Sequence, residues 1–151
     1  MLKISTKTRY ALRALLEMAC RNDKQRFTLR ELAAHQNISR KYLENIFAIL
    51  RKHHIVKSDK GKNGGFYFAA NLKDISVLRI MEALEGKLDL VNCRHSGRMC
   101  TRISFCPTRN IWQELNKILK DDLISRNLKD LSSQKDILDK WSYLLSRSRN
   151  L

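Results

Sequence analysis

The sequence predicts a mainly α fold, a winged helix-turn-helix with a small β-hairpin wing and a long C-terminal dimerisation helix. Three observations predict it. Two capped helical patterns stand close together in the first third of the chain, and a basic, glycine-rich stretch follows them directly. A second, longer helical pattern begins near the only proline, Pro107. Each pattern is common alone, but the order of the first two is typical of a DNA-reading module.

The first two helices are predicted from apolar spacing and capping residues. Leucine and alanine recur at helical spacing from Thr6 to Cys20, and the polar pair at 22–23 ends that helix. Thr28 and Glu31 form a capping box, in which each side chain satisfies a free backbone amide of the other residue. The second helix therefore begins directly after Thr28.

The third helix, Arg40–Lys52, is predicted to be the recognition helix, with Ser39 as its cap. Its apolar residues share one face, whereas the other face is basic and polar. Residues near its start would reach base edges: Arg40 and Lys41 can donate to guanine, Asn45 can pair with adenine, and Glu44 can accept from cytosine. The other predicted DNA contacts on this part of the chain are Thr28, Ser39, Tyr42 and Arg51. The alternative is that this face is merely solvated.

A β-hairpin wing is predicted after the third helix. Strands over Ile55–Ser58 and Phe66–Ala69 flank a turn that contains an Asn-Gly pair, which favours a hairpin. The basic tip carries Lys60 and Lys62, which suit phosphates or a minor groove. A wing directly after a helix-turn-helix strengthens the prediction of DNA binding.

The second half of the chain predicts two further helices and a tail. Ser76 caps a fourth helix that Gly86 ends, and the helix from Pro107 to about Leu123 carries a wide apolar stripe. We interpret that stripe as a dimerisation surface; the alternative is that it packs on its own domain. Ser132-Ser133 is predicted to start an amphipathic tail helix that continues through Leu145. The predicted organisation is a DNA-binding domain over 1–86, a cysteine loop over 87–106, and the dimerisation helix with its tail over 107–151.

Composition narrows the function classes. The 151 residues carry a formal net charge of +15, which favours a polyanionic partner, and 43% of them are hydrophobic, as in a folding chain. No long apolar run predicts a membrane span or a secretory signal, so we expect a cytoplasmic protein. Since the sequence contains neither a nucleotide-binding glycine loop nor a plausible catalytic triad, it does not predict an enzyme. A protein that coats nucleic acid without sequence preference is a further alternative.

Three of the four cysteines, Cys93, Cys100 and Cys106, crowd into one segment. Reduced thiols in this compartment favour metal or redox chemistry over structural disulfides. Spacing alone leaves three interpretations open: an iron–sulfur cluster, a zinc site completed by His95, and thiols that switch by oxidation or do nothing. Arginines surround the segment and would lower the thiol pKa values; they are Arg94, Arg98, Arg102 and Arg109. The fourth cysteine, Cys20, ends an apolar stripe and fits a small buried hydrophobe.

Four stretches of the chain together resemble the Rrf-type winged-helix transcriptional regulators, the IscR/NsrR/CymR-like family, over roughly residues 1–125. These stretches are Ser5–Leu12, Ile38–Ile46, Lys60–Phe66 and Met81–Gly86. The resemblance implies a homodimer that binds a palindromic double-stranded DNA operator, with Arg40–Lys52 in the major groove and the wing tip in the minor groove. Two positions depart from the family: Lys60 replaces a frequent arginine, and His54 a frequent glycine.

The resemblance also bears on the cysteines. Cluster-binding members carry three cysteines between the fourth helix and the dimer helix, as here, whereas members without a cluster usually lack them. It therefore implies an iron–sulfur cluster, 2Fe–2S or 4Fe–4S, held by Cys93, Cys100 and Cys106. The fourth ligands known in the family do not carry over, because Arg109 and Arg9 occupy their positions. Such a cluster would sense redox state, nitric oxide or iron–sulfur supply.

Overall fold

The computed structural model describes residues 4–22, 25–61, 64–91, 93–95, 98–134, 137 and 139–140. Within them the chain is mainly helical and has the predicted winged helix-turn-helix architecture. In chain order the elements are α1 (Thr6–Asn22), α2 (Leu29–Gln36), α3 (Arg40–Lys52), β1 (Val56–Asp59), β2 (Gly65–Phe68), a 3₁₀ turn (Leu72–Asp74), α4 (Val77–Glu85), β3 (Arg94–His95), β4 (Arg98–Met99), α5 (Arg109–Ser125) and α6 (Leu128–Ser132).

Local capping positions the two helices of the helix-turn-helix. The Thr28–Glu31 capping box is confirmed, and the Ser39 side chain accepts a hydrogen bond from the Tyr42 amide at 3.2 Å. Asn37 ends α2 in the left-handed conformation at φ 53°, which turns the chain sharply into α3. The apolar faces of α1, α2 and α3 then meet in one core cluster.

A buried carboxylate joins α1 to α2. Glu17 is fully buried on α1 and accepts hydrogen bonds from Gln36 Nε2 at 2.6 Å and from Arg21 at 3.4 Å; His35 Nδ1 lies 2.6 Å from it. Arg13 in turn donates to the Gln36 side chain at 2.9 Å. Removing one partner would leave the buried Glu17 carboxylate incompletely paired, which is costly. The network therefore fixes how α2 packs on α1.

Phe66 of β2 connects the wing to both helices of the helix-turn-helix. Its ring meets the buried Phe47 ring of α3 edge-on, with the centroids 5.0 Å apart. Its backbone exchanges two hydrogen bonds with Phe27, just before α2, at 2.8 and 2.9 Å. A Cβ on the neighbouring Gly65 would lie 2.9 Å from the Phe27 carbonyl oxygen, at φ +154°, so this close approach requires glycine.

The end of α4 is fastened to the start of α1. The Glu85 carboxylate accepts hydrogen bonds from the Ser5 and Thr8 hydroxyls, and the Lys7 ammonium donates to the Leu84 carbonyl. Partial burial raises the pKa of Glu85, but the hydrogen bonds from Ser5 and Thr8 and the Lys7 charge outweigh it and leave that pKa below its ordinary value.

Helix α5 has one packed side and one open side. Leu119 and Leu123 pack against a small cluster formed by Val77 and Met81 of α4 with Leu88. Large apolar side chains on the rest of α5 stay between 39% and 62% exposed; they are Ile111, Trp112, Leu115, Ile118 and Ile124. The stripe is thus too wide for its own domain to cover.

The boundaries of four elements differ from the sequence-based expectation. Helix α1 continues to Asn22 instead of ending at Cys20. The wing strands start and end one residue nearer the turn, because the Ile55 amide is held by the α3 carbonyl of Leu50 at 3.0 Å. Helix α5 begins at Arg109, since Pro107 and Thr108 form a turn, and it ends at Ser125.

The structure also contains a helix, α6, that the sequence did not predict. Ser132 does not start the tail helix; it is the last residue of α6, whose Leu128 is fully buried against the main core. Asn127 caps α6 with its side chain, and the Leu128 amide donates to the Ile75 carbonyl at 3.0 Å. Of the expected tail helix, residues 137, 139 and 140 are helical, and residues 135, 136, 138 and 141–145 lie outside the described residues.

In the part of the chain that the structure describes, no helix has both the length and the apolar character needed to cross a membrane.

The Glu85 contact predicts a specific loss of stability in acid. Since folding lowers the pKa of Glu85 from 4.5, its contribution is complete above that value and disappears as the pH falls through the folded-state pKa. We expect wild type to be more stable than Glu85→Gln near neutral pH and the difference to shrink in acid. Urea unfolding of both proteins across this range measures it. A difference that stays constant with pH would contradict the role given to the carboxylate.

Candidate nucleic-acid interface and cysteine segment

The predicted base-reading residues lie on the exposed face of α3. Leu43, Ile46, Phe47 and Leu50 are buried, as expected, and the opposite face is open to solvent. The exposed residues include Arg40, Lys41, Tyr42, Glu44, Asn45 and Arg51. The arrangement therefore presents donors and acceptors near the start of the helix, where a recognition helix meets base edges.

Arg40 and Glu44 are paired with each other on this face. Arg40 Nε lies 2.8 Å from Glu44 Oε1, and both side chains are largely exposed. An exposed pair at this spacing contributes only about 0.3–0.5 kcal/mol. Breaking it to let Arg40 meet guanine and Glu44 meet cytosine therefore costs little.

Tyr42 is held by α1. Its ring meets the Tyr10 ring edge-on at 6.0 Å, and the Arg13 guanidinium lies over the Tyr10 ring at 5.4 Å. Tyr42 thus helps to orient the start of α3, in addition to the phosphate contact expected for it. The Ser39 hydroxyl is likewise used structurally, as the cap of α3.

A basic cleft of about 490 Å³ separates α2, α3 and the wing. Arg40 and Arg51 line one side of it, and Arg30 lines the other, near the start of α2. Arg51 also donates to the Ser58 hydroxyl of β1 at 3.2 Å. Thr28 lies at this cleft with its hydroxyl already bonded to Glu31. Arg30 is not among the DNA contacts predicted from the sequence, because its place at the cleft depends on how α2 packs beside the wing.

The base of the wing carries an ion pair that was not predicted from the sequence. Arg26 donates through Nε and Nη2 to Asp59 Oδ2 at 2.9 and 2.6 Å, and its guanidinium lies over the Tyr67 ring. The Tyr67 hydroxyl donates to Asp59 Oδ1 at 3.4 Å. These contacts neutralise an acidic group on a surface proposed to face phosphates. At the tip, Lys60 is exposed, and Lys62 lies outside the described residues.

The cysteine segment contains a short hairpin where an open loop was expected. Strands β3 and β4 pair Arg94 with Met99 and His95 with Arg98. The Cys100 amide donates to the Cys93 carbonyl at 2.8 Å, so the two cysteines continue this pairing at its open end. Only the backbone of His95 is described, so the structure gives no position for a zinc-binding imidazole.

Cys106 lies apart from that pair, at the turn before α5. Its sulfur is 3.5 Å from the Thr108 hydroxyl oxygen. This hydrogen bond, together with the Thr108 amide and the neighbouring Arg109, lowers the pKa of the Cys106 thiol. The arginine effect expected from the sequence is therefore present at Cys106, as a smaller contribution than the Thr108 contacts.

The three thiols are not gathered into one site. Among the described residues, no three cysteine, histidine or acidic side chains are close enough to hold a metal ion. The donor chemistry nevertheless fits an iron–sulfur cluster, because three thiols are present and one is biased toward the thiolate that such clusters require. Arg109 donates to the Ile103 carbonyl at 2.9 Å and so holds the turn between Cys100 and Cys106.

Cys20, expected to be a small buried hydrophobe, is only partly buried. Burial raises the pKa of its thiol, as does the nearby Glu17 carboxylate, and the sulfur contacts the Ser132 carbonyl at 3.6 Å. It serves packing between α1 and α6.

Residues 4–134 match the family model described as Rrf2, iron-dependent transcriptional regulator. The chain is 35% identical over 130 residues to the protein rrf2 of Nitratidesulfovibrio vulgaris, covering 86% of this chain and 87% of the relative. It is 30% identical over 138 residues to the HTH-type transcriptional regulator IscR of Vibrio vulnificus, covering 91% of this chain and 82% of that protein.

Solved structures with the same fold include CymR (YrzC), the global cysteine regulator of B. subtilis, and IscR of T. potens. The first has a TM-score of 0.72 and 32% identity, and covers 88% of this chain and 98% of that one. The second has a TM-score of 0.68 and 32% identity, and covers 86% of this chain and 85% of that one.

Proposed function

The chain belongs to the Rrf2 family of DNA-binding transcriptional regulators, which are not enzymes, and we propose that it is a homodimer that binds a palindromic operator and senses redox, nitric oxide or iron–sulfur status through its cysteine segment. The observation that carries the proposal is the exposed basic face of α3 beside the arginine-lined cleft and the wing. The parts proposed for reading, sensing and dimerisation are residues 1–86, 87–106 and 107–151, in a cytoplasmic protein.

The DNA contacts divide into two kinds. Arg40, Lys41, Glu44 and Asn45 supply base contacts from the start of α3, since their side chains are exposed there. Phosphate contacts come from the residues that border α3 and the wing; these are Thr28, Ser39, Tyr42, Arg51, Lys60 and Lys62. The formal charge of +15 supports affinity for any DNA, so discrimination between sequences depends on the first set.

Dimerisation is proposed through the open side of α5. Ile118 is 62% exposed and Ile111 52% exposed, and such large apolar side chains in a row mark an interaction surface. A two-fold axis along α5 would let two copies cover the same stripe and present their recognition helices to half-sites about 34 Å apart.

The cysteine segment is anchored so that its state can influence both neighbouring helices. Asp89, which follows α4, accepts hydrogen bonds from Asn116 at 3.0 Å and Lys120 at 3.1 Å of α5. At the other end of α5, the Arg126 carbonyl accepts from the Val77 amide of α4 at 2.8 Å. Changes in the segment between Cys93 and Cys106 therefore act on a helix pair that also contacts α1.

An iron–sulfur cluster, 2Fe–2S or 4Fe–4S, is the proposed cofactor. When bound, it would supply a redox-active group whose loss reports oxidants or nitric oxide. Cys93, Cys100 and Cys106 would hold it as thiolates, supported by the family description as iron-dependent and by the lowered pKa of Cys106. The hairpin and the turn before α5 would have to approach each other. The backbone pairing of Cys93 with Cys100 favours a second candidate, a thiol switch without a cluster; a zinc site with His95 is the remaining alternative.

Base reading predicts a selective loss of affinity. With an operator enriched from genomic fragments, Arg40→Ala should weaken specific binding by about 10- to 100-fold and relax the preference at one base pair. Lys60→Ala should weaken all sequences similarly and reduce the salt dependence by about one unit of slope. Lys129→Ala, on the exposed side of α6, is the charge-matched control. The assignment is wrong if Arg40→Ala lowers affinity equally for operator and random DNA.

The open side of α5 predicts a monomeric variant. Ile118→Glu should weaken dimerisation by about 100-fold, because it places a charge in an apolar interface, while the exposed position leaves monomer folding unchanged. Light scattering after gel filtration and circular dichroism measure the two properties. Lys117→Glu, at the neighbouring exposed position, controls for added negative charge. An Ile118→Glu protein that remains dimeric would place the interface elsewhere.

If the cluster is present, the protein should be coloured and should contain iron and sulfide in matching amounts. Protein purified without oxygen should show a visible absorption band, which alanine at Cys93, Cys100 or Cys106 should remove and Cys20→Ala should leave unchanged. Loss of zinc in His95→Ala, without iron in the wild type, would instead identify the zinc alternative. The cluster proposal fails if the wild type stays colourless and metal-free after anaerobic reconstitution.

A further inference from the structure

Cys93 and Cys100 face each other across the hairpin. The register pairs His95 with Arg98 and Arg94 with Met99, so the next pair outward is Cys93 with Cys100. The hydrogen bond from the Cys100 amide to the Cys93 carbonyl, at 2.8 Å, shows that the pairing extends to this position. Directly opposed residues of an antiparallel pair place their side chains on the same side of the ribbon.

This register brings the two cysteines within the separation that a disulfide needs. Opposed residues in a hydrogen-bonded pair have Cα atoms about 5.5 Å apart, and disulfides span Cα separations of about 4.4–6.8 Å. Cys106 does not share this register, because the turn at 101–105 separates it from β4 and its sulfur contacts Thr108. The backbone therefore selects one pair out of the three cysteines of the segment.

We propose that Cys93 and Cys100 are a site of oxidative modification, at which a peroxide closes a disulfide within one chain and leaves Cys106 as a free thiol. Cys100 is exposed and Cys93 is partly covered, so Cys100 is the sulfur that meets the oxidant and Cys93 the sulfur that resolves it. Cys20 takes no part, since it lies between α1 and α6.

The chemistry is a two-electron oxidation. The Cys100 thiolate attacks one oxygen of hydrogen peroxide; a sulfur–oxygen bond forms, the oxygen–oxygen bond breaks, and hydroxide leaves. The Cys93 thiolate then attacks the Cys100 sulfur, forming the sulfur–sulfur bond and displacing the second hydroxide. With the two protons of the thiols, the peroxide is reduced to two waters.

The regulatory meaning of this step rests on the proposed cluster. A disulfide removes two of the three thiolates that the cluster requires, so the segment can hold either the disulfide or the cluster, but never both. The disulfide also closes the base of a hairpin that follows Asp89, which is hydrogen-bonded to α5. Oxidation would thus give the cluster-free regulator a second state, in which a covalent bond closes the hairpin.

Peptide mapping tests the pairing directly. Arg94, Arg98, Arg102 and Arg109 let trypsin place each cysteine of the segment on a separate peptide. After treatment of the reduced, cluster-free full chain with hydrogen peroxide and alkylation, we expect the peptides of Cys93 and Cys100 to be joined. The denatured intact chain should be lighter than the reduced chain by two hydrogen atoms, as an intrachain bond requires. A bond that includes Cys106 or Cys20, or that joins two chains, would overturn the proposal.

Variants test the order of the steps. Cys106→Ser should still form the bond, and Cys93→Ser should stop at a Cys100 sulfenic acid that a cyclic 1,3-diketone traps. If Cys93→Ser is trapped at another cysteine, the assignment of Cys100 as the first sulfur is wrong. Because the mapping uses the wild-type chain, a variant that fails to fold does not affect the main result.

Anaerobic reconstitution separates this inference from the proposed function. Iron and sulfide uptake by the reduced chain, with none by the disulfide form, would support both. If the reduced chain takes up no cluster yet forms the Cys93–Cys100 bond, the cluster proposal is wrong, and so is the claim that the disulfide excludes a cluster. The modification site would still be supported. Cluster uptake without that bond after peroxide treatment of the cluster-free chain would overturn the inference alone.

Discussion

The winged helix-turn-helix, which is the proposed DNA-reading half of the molecule, depends on the contact of Phe66 with Phe47 and Phe27. One ring contact, with centroids 5.0 Å apart, fixes β2 against the inner face of α3, and two backbone hydrogen bonds fix it to Phe27, two residues before α2. The distance between α3 and the wing is thereby set by buried groups. The exposed side chains of both elements are then free to vary without changing the geometry in which the two elements would meet DNA.

Local interactions made much of this fold predictable. The caps at Thr28, Ser39 and Ser76, together with apolar periodicity, gave the helix-turn-helix and α4 almost to the residue, since each depends on neighbours in the chain. Helix α6 was not predicted because it is short and is stabilised by burial of Leu128 in a core formed by residues distant in the sequence. The Arg26–Asp59 pair and the place of Arg30 escaped for the same reason, since both depend on chain segments brought together by folding.

The candidate sensing site was likewise predictable only in part. Sequence spacing identified the three cysteines but described their segment as a loose loop, because a two-residue strand carries no periodic pattern. The structure instead separates them into an opposed pair, Cys93 and Cys100, and a single thiol at the turn before α5. This separation depends on which residues of the two strands are paired, and the spacing of cysteines along the sequence does not reveal that pairing.

A regulator of this kind needs two states of the cysteine segment that differ in how they constrain α5. A ligand or oxidant shifts such an equilibrium only by its differential free energy for the two states. Binding of one group by all three cysteines would tie the hairpin to the turn before α5, and through Asp89 and Arg126 this constraint reaches α4 at both ends. A bond between Cys93 and Cys100 would tie the hairpin to itself and release that turn. The two chemistries therefore act oppositely on α5, which carries the proposed dimer surface and packs against α4 of the proposed DNA-reading domain.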